Sequence, residues 1–317
     1  TKPANSNGLP RRSFRKWIKL DAASCSLSDA ARMTIESRIA AVEAYLPLAA
    51  YHHEETIEHV HQLRVSSRRA LAALMLYKDH LPRKHRKWMQ KMMKRVRKAA
   101  GEARDLDVLL DRFEKSEDAE LDPLIRYLHQ LRHKSQKSIV KLCDRLTDDH
   151  QLERHAMELS GSIPIQRQAN LEQFAKSQIE HQADLFLAYT PEDLFDIDEL
   201  HRFRVQSNEF LYSISLLSDV LPSSVRSQIY PAICQTQEML GELNDHAIAC
   251  KRFKDLSAVS SIRSIRKQLK RLSRGERDQV ADLKKQFHDW WTPKTSRKFE
   301  TTVRAAIDGP RSVGAAS

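Results

Sequence analysis

His61-Gln-Leu-Arg64-Val-Ser-Ser-Arg68-Arg69 is answered, 140 residues further on, by His201-Arg-Phe-Arg204-Val-Gln-Ser-Asn208-Glu209. The same shift carries Leu71, Leu76 and Asp79 onto Leu211, Leu216 and Asp219, and Leu81-Pro82 onto Leu221-Pro222. It also carries Arg86 onto Arg226, Gly101-Glu102 onto Gly241-Glu242, Asp105 onto Asp245, and Arg112-Phe113 onto Arg252-Phe253. With no gap, 15 of the 53 positions from 61 to 113 are identical, against about 3 expected by chance for a repeat search of this kind. The match spans a helical pattern, a Leu-Pro break and a second helical pattern. It predicts a tandem duplication whose halves pack about a pseudo-two-fold axis, so that equivalent residues face a shared groove.

The rest of the chain reads as helix almost throughout. Gly numbers 7 and Pro 11 among 317 residues, and 41% of the chain is hydrophobic, enough to bury a core. Good helix formers dominate, and few stretches alternate as a half-buried strand would. Helices are predicted over about 28–46, 54–80, 84–114, 123–146, 165–188, 192–219, 223–254, 258–274 and 276–291. Thr190-Pro191-Glu192-Asp193 carries a start signal of hydroxyl cap, proline and acid. Residues 1–20, with Arg11, Arg12, Arg15, Lys16 and Lys19, read as a flexible basic arm. Residues 21–305 read as one helical domain with halves at about 27–160 and 161–295, and 306–317 as a tail.

Charge is concentrated. The whole chain carries +11, yet Arg64 to Arg104 alone holds fourteen Lys and Arg against Asp79 and Glu102. Ordinary exposed helices interleave acids with their bases, so a block of this kind calls for an anionic partner. On the first helix of the repeat, Val60, Leu63, Leu71, Leu74 and Leu81 form the apolar stripe. His61, Arg64 and Arg68 form a second stripe rotated from it by about 130° at 100° per residue. On the next helix, Met92, Val96, Ala99, Ala103, Leu106 and Leu110 face the core, with Lys94, Arg97, Lys98, Gly101 and Asp105 opposite. A glycine inside a helix costs about 1 kcal/mol, so Gly101 predicts the close approach of another group. Asp105, among these cations, reads as a carboxylate that orients them.

Other chemistry has little support. Cys25, Cys143, Cys234 and Cys250 lack metal or disulfide spacing and read as thiols of a reducing compartment. No stretch has the length and apolarity of a membrane span and no secretory signal is visible. No phosphate loop or nucleophile elbow occurs. Glu58-x-x-His61 and Asp198-x-x-His201, with Glu102 and Glu242, match the ligand count of a di-metal bundle enzyme. Arg64 and Arg68 on the same stripe argue against a dication there, and neither a metal nor another cofactor is assigned. A single-stranded nucleic-acid binder shares the charge argument, but such proteins add aromatic stacking platforms. The basic segment has only Tyr77 and Trp88, off the cationic stripes.

His61-Gln-Leu-Arg64-Val-Ser-Ser-Arg68-Arg69 followed by Gly101-Glu-Ala-Arg104-Asp105-Leu-Asp107-Val108 resembles the signature of the CHAD family, the conserved histidine α-helical domains. His201-Arg-Phe-Arg204-Val205 with Leu240-Gly-Glu-Leu-Asn-Asp245 is similar to that family's second half, and the resemblance covers about 27–295. It implies two antiparallel four-helix units around a pseudo-two-fold axis with a basic central channel. It implies binding of inorganic polyphosphate and association with polyphosphate granules; with no hydrolytic motif and with thiols of a reducing compartment, binding without catalysis in the cytoplasm is expected. Some members carry a triphosphate-processing CYTH domain, and no such strand region is read here. Carried over, the ligand-binding residues are His61, Arg64, Arg68, Arg69, Lys91, Lys94, Arg97, Lys98, Arg104, His201 and Arg204, with Asp105 and Asp245 as orienting carboxylates. The second half departs from the pattern at Asn208, Glu209 and Asn244, so binding is expected to lean on the first half. Protonated histidines would donate to phosphate, which predicts tighter binding near pH 6 than near pH 8.

Overall fold

The computed structural model describes residues 15–21, 25–116, 118–164 and 170–307. Their ten α-helices are α1 (Leu27–Tyr51), α2 (Glu58–Leu76), α3 (Arg83–Glu114), α4 (Asp122–Thr147), α5 (Gln151–Gly161), α6 (Leu171–Ala188), α7 (Ile197–Leu217), α8 (Tyr230–Val259), α9 (Arg263–Trp290) and α10 (Pro293–Ile307). No strand occurs among the described residues, and the chain is all-α as expected. No helix of the described residues is long and apolar enough to cross a membrane.

Side chains start several helices. The Ser26 hydroxyl accepts from the Asp29 amide at 3.1 Å to open α1. Asn170 accepts from the Glu172 and Gln173 amides at 2.9 and 3.1 Å to open α6, and Asp196 accepts from those of Asp198 and Glu199 to open α7. Each satisfies amides that the first helical turn leaves unpaired. The Thr190-Pro191 signal is therefore corrected. Its residues form a loop whose Glu192 and Asp193 amides donate to the Glu199 carboxylate, at 2.9 and 3.1 Å.

Two predicted breaks do not occur. α1 continues through Pro47, because its last turn buries Ala49 and Ala50 and their carbonyls accept from Gln136 Nε2 of α4 at 2.8 and 2.7 Å. α9 continues through Gly275, because the next residue, Glu276, is buried and held by Arg112 and His246. The Leu-Pro breaks do occur, and in the same form. A single 3₁₀ turn, Lys78–His80, precedes Leu81-Pro82, and its counterpart Ser218–Val220 precedes Leu221-Pro222. α5 and α10 were not anticipated. α5 opens without a side-chain cap from His150, which sits in the left-handed region at φ 52°.

α1 packs on α2, α2 on α3, α3 on α4, and α4 back on α1. In the second half α6 packs on α7, α7 on α8 and α8 along α9, while α10 returns to α6. α2 and α7 join the halves. The predicted core stripes of α2 and α3 are buried throughout. A separate apolar cluster ties the C-terminal part of α3 to α4, α8 and α9. In it Phe113 meets its own repeat counterpart Phe253, with ring centroids 5.9 Å apart.

Residues 15–20 correct the flexible-arm reading. Ile18 and Leu20 are buried, and the Ile18 amide donates to the Ser215 carbonyl at 3.2 Å. Arg38, itself buried, donates to the carbonyls of Arg15 and Lys16 at 2.8 and 2.7 Å. The helical domain thus begins before residue 21. Residues 1–14 of the proposed arm, and 308–317 of the proposed tail, lie outside the described residues.

Candidate anion-binding site

α2 runs antiparallel to α3 and sets Arg64 against Gly101 and Asp105. Arg64 Nη1 lies 3.4 Å from Asp105 Oδ1, with both side chains about a third exposed. A Cβ placed on Gly101 would lie 2.8 Å from the same nitrogen. The predicted close approach is therefore the guanidinium crossing the α3 backbone. Gly241, the counterpart, has nothing within 4 Å of such a Cβ and shows no equivalent contact.

Gly101→Ala is expected to separate binding from stability. Alanine favours the helix by about 1 kcal/mol, and the obstructing atom is the far end of a flexible side chain. The variant should melt no lower than the parent, while the displaced Arg64 weakens anion binding. Thermal melting and an anion titration on the same preparation check both halves.

His61, one turn before Arg64, is half-buried beside Arg104. Burial, and then the Arg104 charge, push its pKa below 6.5. In the second half the same register sets His201 Nδ1 3.2 Å from Asn244 Oδ1. Asn for Arg at this position thus replaces a repelling cation by a hydrogen-bond partner.

α7 brings Arg204 beside this group. Burial, and then the neighbouring Arg68, lower its pKa, with Asp245 acting in the opposite direction and Arg64 adding to the depression. Its Nε is buried with no hydrogen-bond partner among the described residues. The Arg68 guanidinium lies 5.7 Å from the Tyr212 ring centroid. Arg69 is half-buried near Tyr212, Tyr230 and Tyr45, and burial lowers its pKa. Arg38, pushed down to about 10 by burial and then by Arg69, adds a cation bound to carbonyls rather than to a carboxylate. Burial raises the Asp105 pKa, against the pull of Arg64 and Arg252, while Asp245 and Glu102 add to the rise. The carboxylates here are fewer than the cations.

The structure therefore gathers His61, Arg64, Arg68, Arg69, Arg104, Asp105, Arg204 and Asp245 around the α2–α7 contact, with His201 exposed at the matching position of the second half. Lys91, Lys94 and Lys98 are exposed and line, with Lys87, Gln90 and Arg95, a groove of about 420 Å³ along α3. Arg97 is exposed one turn before Gly101. A larger groove of about 640 Å³ lies on α4, but Asp144 and Asp148 offset its lysines. Glu58, His61, Asp198 and His201 do not assemble at metal-ligand spacing among the described residues.

Three contributors were not singled out from sequence: Arg38, Tyr212 and Arg252. Tyr212 follows Arg204 and Asn208 at helical spacing, and Arg252 repeats Arg112, so both had a signal. Arg38 had none, being an ordinary helix residue until residues 15–16 fold over it.

The CHAD domain profile matches residues 34–254. No curated protein matches the chain. Among solved structures, the CHAD domain from the plant Ricinus communis is similar, with a TM-score of 0.62 at 20% identity, over 91% of this chain and 94% of that one. PptA from Streptomyces chartreusis is also similar, with a TM-score of 0.59 at 16% identity, over 83% of this chain and 98% of that one. With the profile spanning both His-Arg segments and the solved structures sharing the helical architecture, the chain belongs to the CHAD domain family.

Proposed function

We propose that the chain binds inorganic polyphosphate, without cleaving it, in a basic channel between its two halves. The observation that carries this reading is the meeting of Arg64, Arg68 and Arg204 from α2 and α7, half-buried and short of counter-charge, with the Arg204 Nε unpartnered. Half-buried guanidiniums this close repel each other, and a flexible polyanion relieves that repulsion. Each guanidinium offers a planar fork that fits two phosphate oxygens. Lys91, Lys94, Arg97 and Lys98 extend the positive track along α3. Such binding supports a place on cytoplasmic polyphosphate granules.

The aromatic faces favour this reading over single-stranded nucleic acid. Tyr212 is covered by Arg68, and Trp17 by Arg226 at 4.2 Å. Trp88 is stacked on His155, and Trp291 is buried against Phe203 and Phe299. These four rings, of the kind base stacking requires, are already occupied, and the exposed Tyr51, Tyr189 and Phe195 belong to the end of α1 and the segment after α6 rather than to the basic helices α2 and α3.

Titration with long-chain polyphosphate and with single-stranded RNA, matched in phosphate and run at two salt levels, tests the proposal. Polyphosphate is expected to bind much the tighter, to hold on at the higher salt and to keep its chain length on incubation. Equal or preferred RNA binding would refute it. The pH dependence follows from His61. Its depressed pKa leaves it neutral in the free protein at neutral pH, and a bound polyanion raises that pKa. Binding therefore takes up a proton, and affinity rises as pH falls through the interval between the two values. Affinity at about pH 6 should exceed that at about pH 8 at fixed ionic strength. Equality would remove the histidine from contact with the ligand.

A further inference from the structure

Away from this site, α5 brings His155 and Glu158 against His85 at the start of α3. His85 Nδ1 lies 3.1 Å from Glu158 Oε2, and His155 Nδ1 lies 3.4 Å from the same oxygen. Both Nδ1 atoms are shut off from solvent, and neither has a hydrogen-bond partner among the described residues. Two buried nitrogens within 3.4 Å of one carboxylate oxygen, neither aligned to bond it, form an arrangement that an ion between them would satisfy. The two nitrogen–oxygen edges agree. Zinc–nitrogen and zinc–oxygen bonds of about 2.0–2.1 Å at the tetrahedral angle put neighbouring ligand atoms about 3.3 Å apart.

The surroundings suit such an ion. Trp88 stacks on His155 with ring centroids 3.7 Å apart, fixing the imidazole and walling the site on one side. Glu158 remains 44% exposed, which leaves an entry path. Lys84 and Arg154 act on His155 electrostatically, but both are exposed and screened by solvent.

The geometry points to a mononuclear divalent-metal site made by His85, His155 and Glu158, with a fourth position left for water. Two imidazoles and one carboxylate select zinc or a neighbouring transition metal over magnesium or calcium. The ion would pin α5 to α3, adding to the core in which Leu152 and Leu159 of α5 and Met89 and Met92 of α3 are buried. This site is independent of the proposed polyphosphate function.

The test uses the full chain stripped with chelator, then titrated with Co²⁺ by visible absorption and with Zn²⁺ by calorimetry. One equivalent is expected, with the intense visible bands of four-coordinate Co²⁺ and a raised melting temperature with Zn²⁺. His155→Gln, His85→Gln and Glu158→Gln should each weaken binding by about 100-fold or more, a larger loss than outer-sphere changes give. His129→Gln, which removes an exposed histidine paired with Glu114, should bind as the parent does. Circular dichroism confirms that the variants are folded. Absence of stoichiometric binding, or unchanged binding in folded His155→Gln and Glu158→Gln, would overturn the assignment.

Discussion

Replacing Arg64, Arg68 and Arg204 together by glutamine is expected to lower polyphosphate affinity by about 10³-fold or more, while leaving the unliganded protein at least as stable. Hydrogen bonds to charged groups contribute about 1.5–3 kcal/mol each, and each 1.4 kcal/mol is tenfold in affinity. Three such contacts at the low end already give about 10³. The salt dependence should flatten as well, because each lost phosphate contact removes about 0.7 from the slope of log affinity on log salt for a single-stranded polyanion. A fall of about 2 is therefore expected. Stability should move the other way, because the three cations repel one another. The depressed pKa of Arg204 records that repulsion after the larger effect of burial. Calorimetric titration at several salt levels, with urea unfolding of the free variant, reads all three quantities. Affinity within tenfold of the parent and an unchanged slope would place the polymer elsewhere, first of all along the Lys91–Lys94–Lys98 groove.

Asp107→Ala should have the largest effect on folding, about 3–5 kcal/mol, by leaving a buried cation without its partner. Asp107 and Arg132 are both buried and form an ion pair between α3 and α4. Arg132 Nη1 also donates to Gln136 Oε1 at 2.9 Å, and Gln136 Nε2 donates to the last carbonyls of α1. One network thus ties α3, α4 and α1. The double variant Asp107→Ala/Arg132→Met should recover most of the loss, because it removes both charges at once. Urea unfolding of the single and double variants measures it. A loss below about 1 kcal/mol for the single variant would mean that water reaches the pair, as at exposed ion pairs.

Asp105 and Asp107 show how far local reading goes. Both belong to Gly101-Glu-Ala-Arg104-Asp105-Leu-Asp107, and two residues on a helix put them about 200° apart. Periodicity says that they cannot share a face. It does not say that one meets Arg64 in the candidate anion site and the other Arg132 in the core. That depends on where α2 and α4 lie.

The same division runs through the molecule. The helical class, the apolar stripes of α2 and α3, the repeat at 140 residues and the two Leu-Pro breaks were legible in the chain. They rest on backbone propensity, turn residues and spacing, which act over a few neighbouring residues. The excess of cations on α3 and the close approach at Gly101 were legible for the same reason. Helix continuity at Pro47 and Gly275 was not, because burial and long-range hydrogen bonds to α4, α3 and α8 outweigh the local tendency to break. Nor was the docking of residues 15–20 on Arg38 and Ser215, or the face that Tyr212 and Arg252 offer. His85, His155 and Glu158 meet only because α5 folds back on α3. Local free energies set which residues share a stripe. Which stripes meet is set by the burial of side chains summed over the whole chain, and no single segment carries that sum.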